Sequence, residues 1–217
     1  MKKQQEFERK VQTRKAGWTY QGTREGRVDY RFSGAAGGIE WSMWYDSDRG
    51  DKSPTPKSFW QSANVRSQGL TLVIIGRKRY QMESGTVGRL LMDVVGGLAQ
   101  AVAGETKAGV RVDKSEFYES AVLLENGRAT FRERYAVAVS PEMPKEWLDD
   151  ELQRLLLEWP KTPNGVAYRG DDMVEITLRE EGLKIVVQKM PQEFAFWKHL
   201  ADLGQALAER LGGLAAR

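Results

Sequence analysis

The sequence has no cysteine and only one histidine, His199. Without cysteine there is no disulfide, no thiolate metal site and no cysteine nucleophile, which suits a reducing compartment. His199 falls in the last helical stretch, three residues before Asp202. A general base needs a nucleophile or substrate aligned with it, and nothing nearby in sequence supplies one, so a solvated surface position is expected. Gly-x-Ser-x-Gly is missing as well, which leaves a Ser-His-Asp triad without an anchor. The N-terminus opens Met1-Lys2-Lys3-Gln4-Gln5-Glu6, lacks the apolar run of a signal peptide, and predicts a cytoplasmic protein.

Ligand motifs are equally scarce. No phosphate-binding loop of the Gly-x-x-x-x-Gly-Lys type occurs, and Gly34-Ala35-Ala36-Gly37-Gly38 has neither the spacing nor the following helix of a dinucleotide site. Asp46-Ser47-Asp48-Arg49-Gly50-Asp51 begins like a calcium loop, but Asp51 stands where Gly is required and Lys57 where the final Glu belongs. Arg49-Gly50-Asp51 also spells an adhesion tripeptide, which without an export signal is a chance match. Acidic groups such as Asp149-Asp150-Glu151, Asp171-Asp172 and Glu180-Glu181 read as solvated helix faces and turns. No metal, cofactor or catalytic set is therefore expected, and the balance leans away from an enzyme.

What is present is an ordinary globular composition with an uneven charge. The chain has 217 residues, 41% hydrophobic and 29% charged, enough to bury a sizeable core, and it carries seven Trp. The net charge of +3 conceals two unlike parts. Residues 1–112 hold 19 Lys and Arg against 11 Asp and Glu, whereas residues 113–217 hold 14 against 19. Opposite charge suits an acidic partner for the first part, head-to-tail docking of two copies or, most simply, parts that face each other.

Residues 2–15 are polar and helix-favouring, with Phe7 and Val11 at i,i+4, and stop at Gly17. From Trp18 the period changes to two. Trp18 and Tyr20, then Val28, Tyr30 and Phe32, then Ile39, Trp41, Met43 and Tyr45 alternate with mostly polar residues, which predicts an antiparallel meander with one aromatic face. Turns are expected at Arg24-Glu25-Gly26 and at 34–38, and further strands at 59–66 and 70–75. Thr86–Ala103 is apolar apart from Arg89, Asp93 and Gln100, which share one helical face; their charge and the Gly96-Gly97 pair favour a buried core helix over a membrane span. Strands at 120–124 and 130–139 follow, joined at Asn126-Gly127 by a hairpin. A helix over 144–159, a hairpin of strands 174–178 and 183–187, and a closing helix over 192–211 complete the reading.

One internal match organises this order. Val65-Arg66-Ser67-Gln68-Gly69-Leu70-Thr71-Leu72-Val73-Ile74 aligns without gaps on Leu178-Arg179-Glu180-Glu181-Gly182-Leu183-Lys184-Ile185-Val186-Val187. Both read as a hairpin with Gly at a positive-φ position, and in both a helix comes next. The expected fold is α+β in two related halves, each with mainly antiparallel strands and a packing helix, plus an N-terminal and a long C-terminal helix. The expected divisions are 1–17, a basic and aromatic half at 18–112, and an acidic half at 113–217.

Two residue sets suggest binding. Trp197, Leu200, Gly204, Leu207 and Leu211, continued by Leu214, repeat at heptad spacing, a partner-binding seam whose competitor is packing on the chain's own sheet. Arg77, Lys78, Arg79 and Tyr80, with the basic N-terminus and Trp44 off the main aromatic face, combine charge neutralisation with stacking, as nucleic-acid binding requires. Acidic residues interspersed among them rank nucleic acid second. The expectation is a non-enzymatic protein-binding or assembly module, with a homodimer as one form. Nucleic acid, or a small apolar ligand between the aromatic face and the Thr86–Ala103 helix, are the alternatives.

Overall fold

The computed structural model describes residues 2–22, 28–46, 56–84, 121–124, 127–162, 164–165, 168, 173–191 and 193–215. The Thr86–Ala103 stretch, and with it a ligand site beneath it, lies outside them. Helix α1 (Lys2–Lys15) ends where Gly17 takes φ 73° and the Trp18 N–H donates to the Thr13 carbonyl. Strands β1 (Thr19–Gln21), β2 (Val28–Ala36), β3 (Ile39–Asp46) and β4 (Lys57–Ser62) then form the antiparallel meander that the alternation predicts. The β2–β3 turn is tighter than expected. Gly37 and Gly38, at φ 59° and 80°, make it alone, and β2 runs on through Gly34 and Ala36.

Strand β5 (Leu72–Gly76) is apolar throughout and fully buried, and it leads directly into α2 (Arg77–Ser84). The Asn126-Gly127 hairpin is replaced by a different connection. Between β6 (Val122–Leu123) and β7 (Tyr135–Val139) the chain forms a short helix, α3 (Ala129–Arg134). The alternation of Phe131, Glu133 and Tyr135 misleads here, because Phe131 and Tyr135 are also i,i+4 partners, and their rings stack at 5.3 Å in the helical arrangement. The helix expected over 144–159 is likewise shorter. Helix α4 (Asp150–Leu157) begins where the Asp149 carboxylate accepts the Leu152 N–H, leaving Trp147 and Leu148 buried ahead of it in irregular chain. Strands β8 (Val174–Arg179) and β9 (Gly182–Gln188) pair as the predicted hairpin, and α5 (Phe194–Ala215) closes the described chain.

The described strands form one antiparallel sheet in the order β1-β2-β3-β4-β9-β8-β5-β7-β6. Strands from before and after residue 112 therefore interleave, and the division at 112 and 113 does not separate two sheets. The β8–β9 hairpin is inserted between β4 and β5, pairing with β4 on one side and β5 on the other. The chain joining β4 to β5, residues 63–71, arches over the end of that hairpin.

The arch explains the internal match and corrects it. Gly69 and Gly182 both have positive φ, 86° and 119°, as the shared pattern requires. Only the second is in a hairpin turn; β4 and β5 are not neighbours, so residues 65–71 belong to the arch above it and 72–74 begin β5. The Glu180 carboxylate, in the inner turn, accepts from the Ser67 hydroxyl at 2.9 Å and from the Gly69 N–H at 3.0 Å. A side chain at position 182 would run into the Ser62 carbonyl.

One face of the sheet carries the main core. Phe32, Met43, Trp60, Ile185, Ile176, Ile74 and Val137 form a row across seven strands, and each is buried. Helix α5 lies over it. Trp197 meets Tyr30 and Phe32 at 5.6 and 5.1 Å between centroids, and Gly204 lets the helix backbone descend onto the Trp60 indole. This packing settles where the heptad seam points. Trp197, Leu200 and Leu207 are fully buried and Leu211 is 2% exposed, so these residues and Gly204 face the chain's own core and offer nothing to a second helix. The side chain of Leu214 lies outside the described residues.

Candidate functional site

The opposite sheet face is built by the other half of the same alternation. Along β4, Ser58, Trp60 and Ser62 are buried while Lys57, Phe59 and Gln61 are half-exposed; β8 and β9 repeat the pattern with Glu175, Thr177 and Arg179, and with Lys184, Val186 and Gln188. Adjacent aromatics on a strand must point to opposite faces. Trp44 follows Met43 and Phe59 precedes Trp60, so each sends its ring away from the core, and the register sets them side by side.

Their geometry is specific. The Trp44 and Phe59 rings stack at 4.9 Å between centroids with 11° between planes. The Arg31 guanidinium lies 5.6 Å from the Trp44 centroid, and the Lys184 ammonium lies 5.2 Å from that of Phe59, both within cation–π range. The result is a ladder of cation, ring, ring and cation across β2, β3, β4 and β9. Ser33, Ser42 and Gln61 surround it, all half-exposed.

Toward β5 and β7 the same face changes character. Val73, Ile75 and Ala138 are buried there, with Tyr80 from α2 and Ala121 packed against them. Helix α2 thus sits on this face beside the ladder, and Arg79 reaches Glu175 in a 2.7 Å ion pair. Glu175 lies in the Trp44, Phe59 and Val186 row, so the structure brings Arg79 and Trp44 onto one face. Two details limit the nucleic-acid reading. Tyr80 is committed to the small cluster, and Arg79 to Glu175. Arg77 lines a shallow depression of about 330 Å³ with Ala129, Arg132 and Glu133; Lys78 lies in the same helix. Arg31, Phe59 and Lys184 were missed by sequence reasoning, although the doublets Trp44-Tyr45 and Phe59-Trp60 carried the signal that one ring of each pair must face outward.

His199 is a correction. It is not a solvated side chain but packs between α4 and α5, its Nε2 2.8 Å from the Leu155 carbonyl and its ring 4.6 Å from that of Trp159. Burial lowers its pKa below the ordinary histidine value, only partly offset by the Leu155 carbonyl and Asp202. Burial pushes the phenols of Tyr30 and Tyr168 far up in the same way. At the start of α4, burial works to raise the Asp149 pKa, but the Arg210 guanidinium, 2.6 Å away, and the Leu152 N–H hold it below its usual value.

Among the described residues no group of three or more His, Asp and Glu is arranged to hold a metal ion, and no helix is long and apolar enough to cross a membrane. Of the calcium-like stretch only Asp46, Pro56 and Lys57 are described, the first and last as register partners on β3 and β4. No protein-family model, curated protein or solved structure matches the chain.

Proposed function

We propose that the protein is a non-enzymatic protein-binding module whose partner docks on the second face of the sheet, centred on Trp44 and Phe59. The observation that carries this reading is the stacked pair itself, two large rings held half-exposed in mid-sheet. Protein interfaces concentrate aromatic anchors at the centre and leave charged and polar groups at the rim. Arg31, Lys184, Lys57, Asp46 and Glu40 supply such a rim, with charges of both signs. Stacking in advance also lowers the ordering cost of binding, because the rings already occupy one geometry.

Peptide-display selection against the full chain, counter-selected against Trp44→Ala/Phe59→Ala, tests this. Sequences that bind the wild type and lose at least about tenfold in affinity on the variant are expected, since truncating an anchor costs 1.4 kcal/mol or more. Binders indifferent to the substitution would overturn it. A second copy of the chain is one protein that this face can receive. In that case the variant sediments as a smaller species than the wild type.

Single-stranded nucleic acid is the second reading, favoured by Arg31 and Lys184 and by α2 on the same face. It predicts binding that weakens steeply with salt, whereas a protein partner anchored on rings predicts a shallow dependence.

A further inference from the structure

We infer that the partner presents two carboxylates four residues apart with an apolar side chain midway, on an extended segment laid across β2, β3, β4 and β9; this rests on the protein-binding reading above. The argument is charge complementarity. On this face Glu175 is ion-paired with Arg79, and Asp46 stands in register with Lys57. Arg31 and Lys184 are placed differently, each over a ring. A carboxylate adds a charge-assisted hydrogen bond to a cation that can stay over its ring, so an acidic ligand engages both cations without breaking the Arg79–Glu175 pair.

Spacing fixes the pattern. The three separations along the ladder, laid end to end, put the two charges at most about 16 Å apart, and an extended chain advances roughly 3.3 Å per residue. Carboxylates at i and i+4 are then about 13 Å apart, with their side chains covering the remainder. Alternation points i, i+2 and i+4 to the same side, so residue i+2 meets the Trp44–Phe59 pair. The recognised pattern is acidic, any, apolar, any, acidic.

Nucleic acid fits the ladder less well. Both rings already turn a face to each other and have a cation at the other, so a base stacks only after a cation is displaced.

The test uses the full chain and three probes, read by tryptophan fluorescence and by amide shifts. They are an acetylated Ser-Glu-Gly-Leu-Gly-Glu-Ser peptide, the same peptide with Lys for Glu, and a fifteen-nucleotide oligo-dT. The acidic peptide is expected to bind, the lysine peptide to bind at least about tenfold more weakly, and Arg31→Ala/Lys184→Ala to lose about tenfold for the acidic peptide. Equal binding of the two peptides, an unaffected double variant, or displacement of the acidic peptide by oligo-dT would each overturn the inference. So would failure of the acidic peptide to bind at all. Binding lost in Trp44→Ala but kept in Arg31→Ala/Lys184→Ala removes the charge pattern while leaving the docking face intact. Unchanged amide spectra away from the face verify that each variant is folded.

Discussion

Gly204 and His199 each occupy a position that only one kind of side chain suits. A Cβ at 204 would enter the Trp60 indole, which is fully buried and cannot yield. Alanine is the better helix former by about 1 kcal/mol, but overpacking costs about 1–3 kcal/mol, so Gly204→Ala is expected to destabilise the chain by up to about 2 kcal/mol in urea denaturation. A stabilising result would mean that α5 does not rest on Trp60. His199 makes stability depend on pH in a window of its own. Its pKa is lower folded than unfolded, so the unfolded chain binds the extra proton. Its contribution is complete above about pH 6.5, the unfolded value, and is lost as the pH falls toward the folded value. His199→Gln should therefore show a smaller drop in denaturation midpoint between pH 7 and 5 than the wild type. Parallel curves would show that His199 does not titrate with unfolding.

At the scale of elements, α4 begins at Asp149. Its carboxylate accepts the Leu152 N–H with one oxygen and the Arg210 Nε with the other, and Arg210 also reaches Glu151 at 2.8 Å, so α5 is tied to the first turn of α4. Asp149→Ala removes both functions and is expected to cost about 1–2 kcal/mol, while Asp149→Asn keeps the cap and costs less. Equal losses would leave the cap without a role. Because the Asp149 pKa is depressed, its contribution holds above about pH 4 and fades only as the pH falls through the folded value. This start was not legible in the sequence. Pro144 signals a helix, and Trp147 and Leu148 continue its apolar spacing, but the cap that decides lies five residues later. The same limit applies to α3, where Phe131 and Tyr135 satisfy strand and helix periods alike. Elements with one unambiguous period, β2, β3, the β8–β9 hairpin and α5, were readable at once.

At the scale of the molecule, sequence order hides spatial order. The fold class and the aromatic core follow from alternation, since hydrophobic burial selects one face of every strand. The interleaving does not, because whether β4 joins β5 directly or leaves room for β8 and β9 depends on contacts more than a hundred residues apart. The two segments with the shared Arg-x-x-Gly-Leu pattern are legible as turns and illegible as arch and hairpin. The outward face was half visible: Trp44 stood out by parity, whereas Arg31 and Lys184 gain their place only through register. A consequence is that 1–112 and 113–217, expressed separately, should each fail to give a cooperative unfolding transition, as judged by circular dichroism. Each lacks strands that flank its own. Two separately folded fragments would refute the single sheet.

The inserted hairpin also orders events in time. A ribosome releases β4 and β5 long before β8 and β9 exist, and until residue 188 has emerged those two strands have no partner on the sides that will later face each other across the gap. Pairing so distant in sequence is slow, and the nascent chain carries bare strand edges while it waits. The arch of residues 63–71 keeps β4 and β5 one hairpin's width apart in the chain, and Glu180 then latches the late arrival in place. Assembly of this sheet is therefore an act of completion, its middle pair of strands added only after the other described strands have been made.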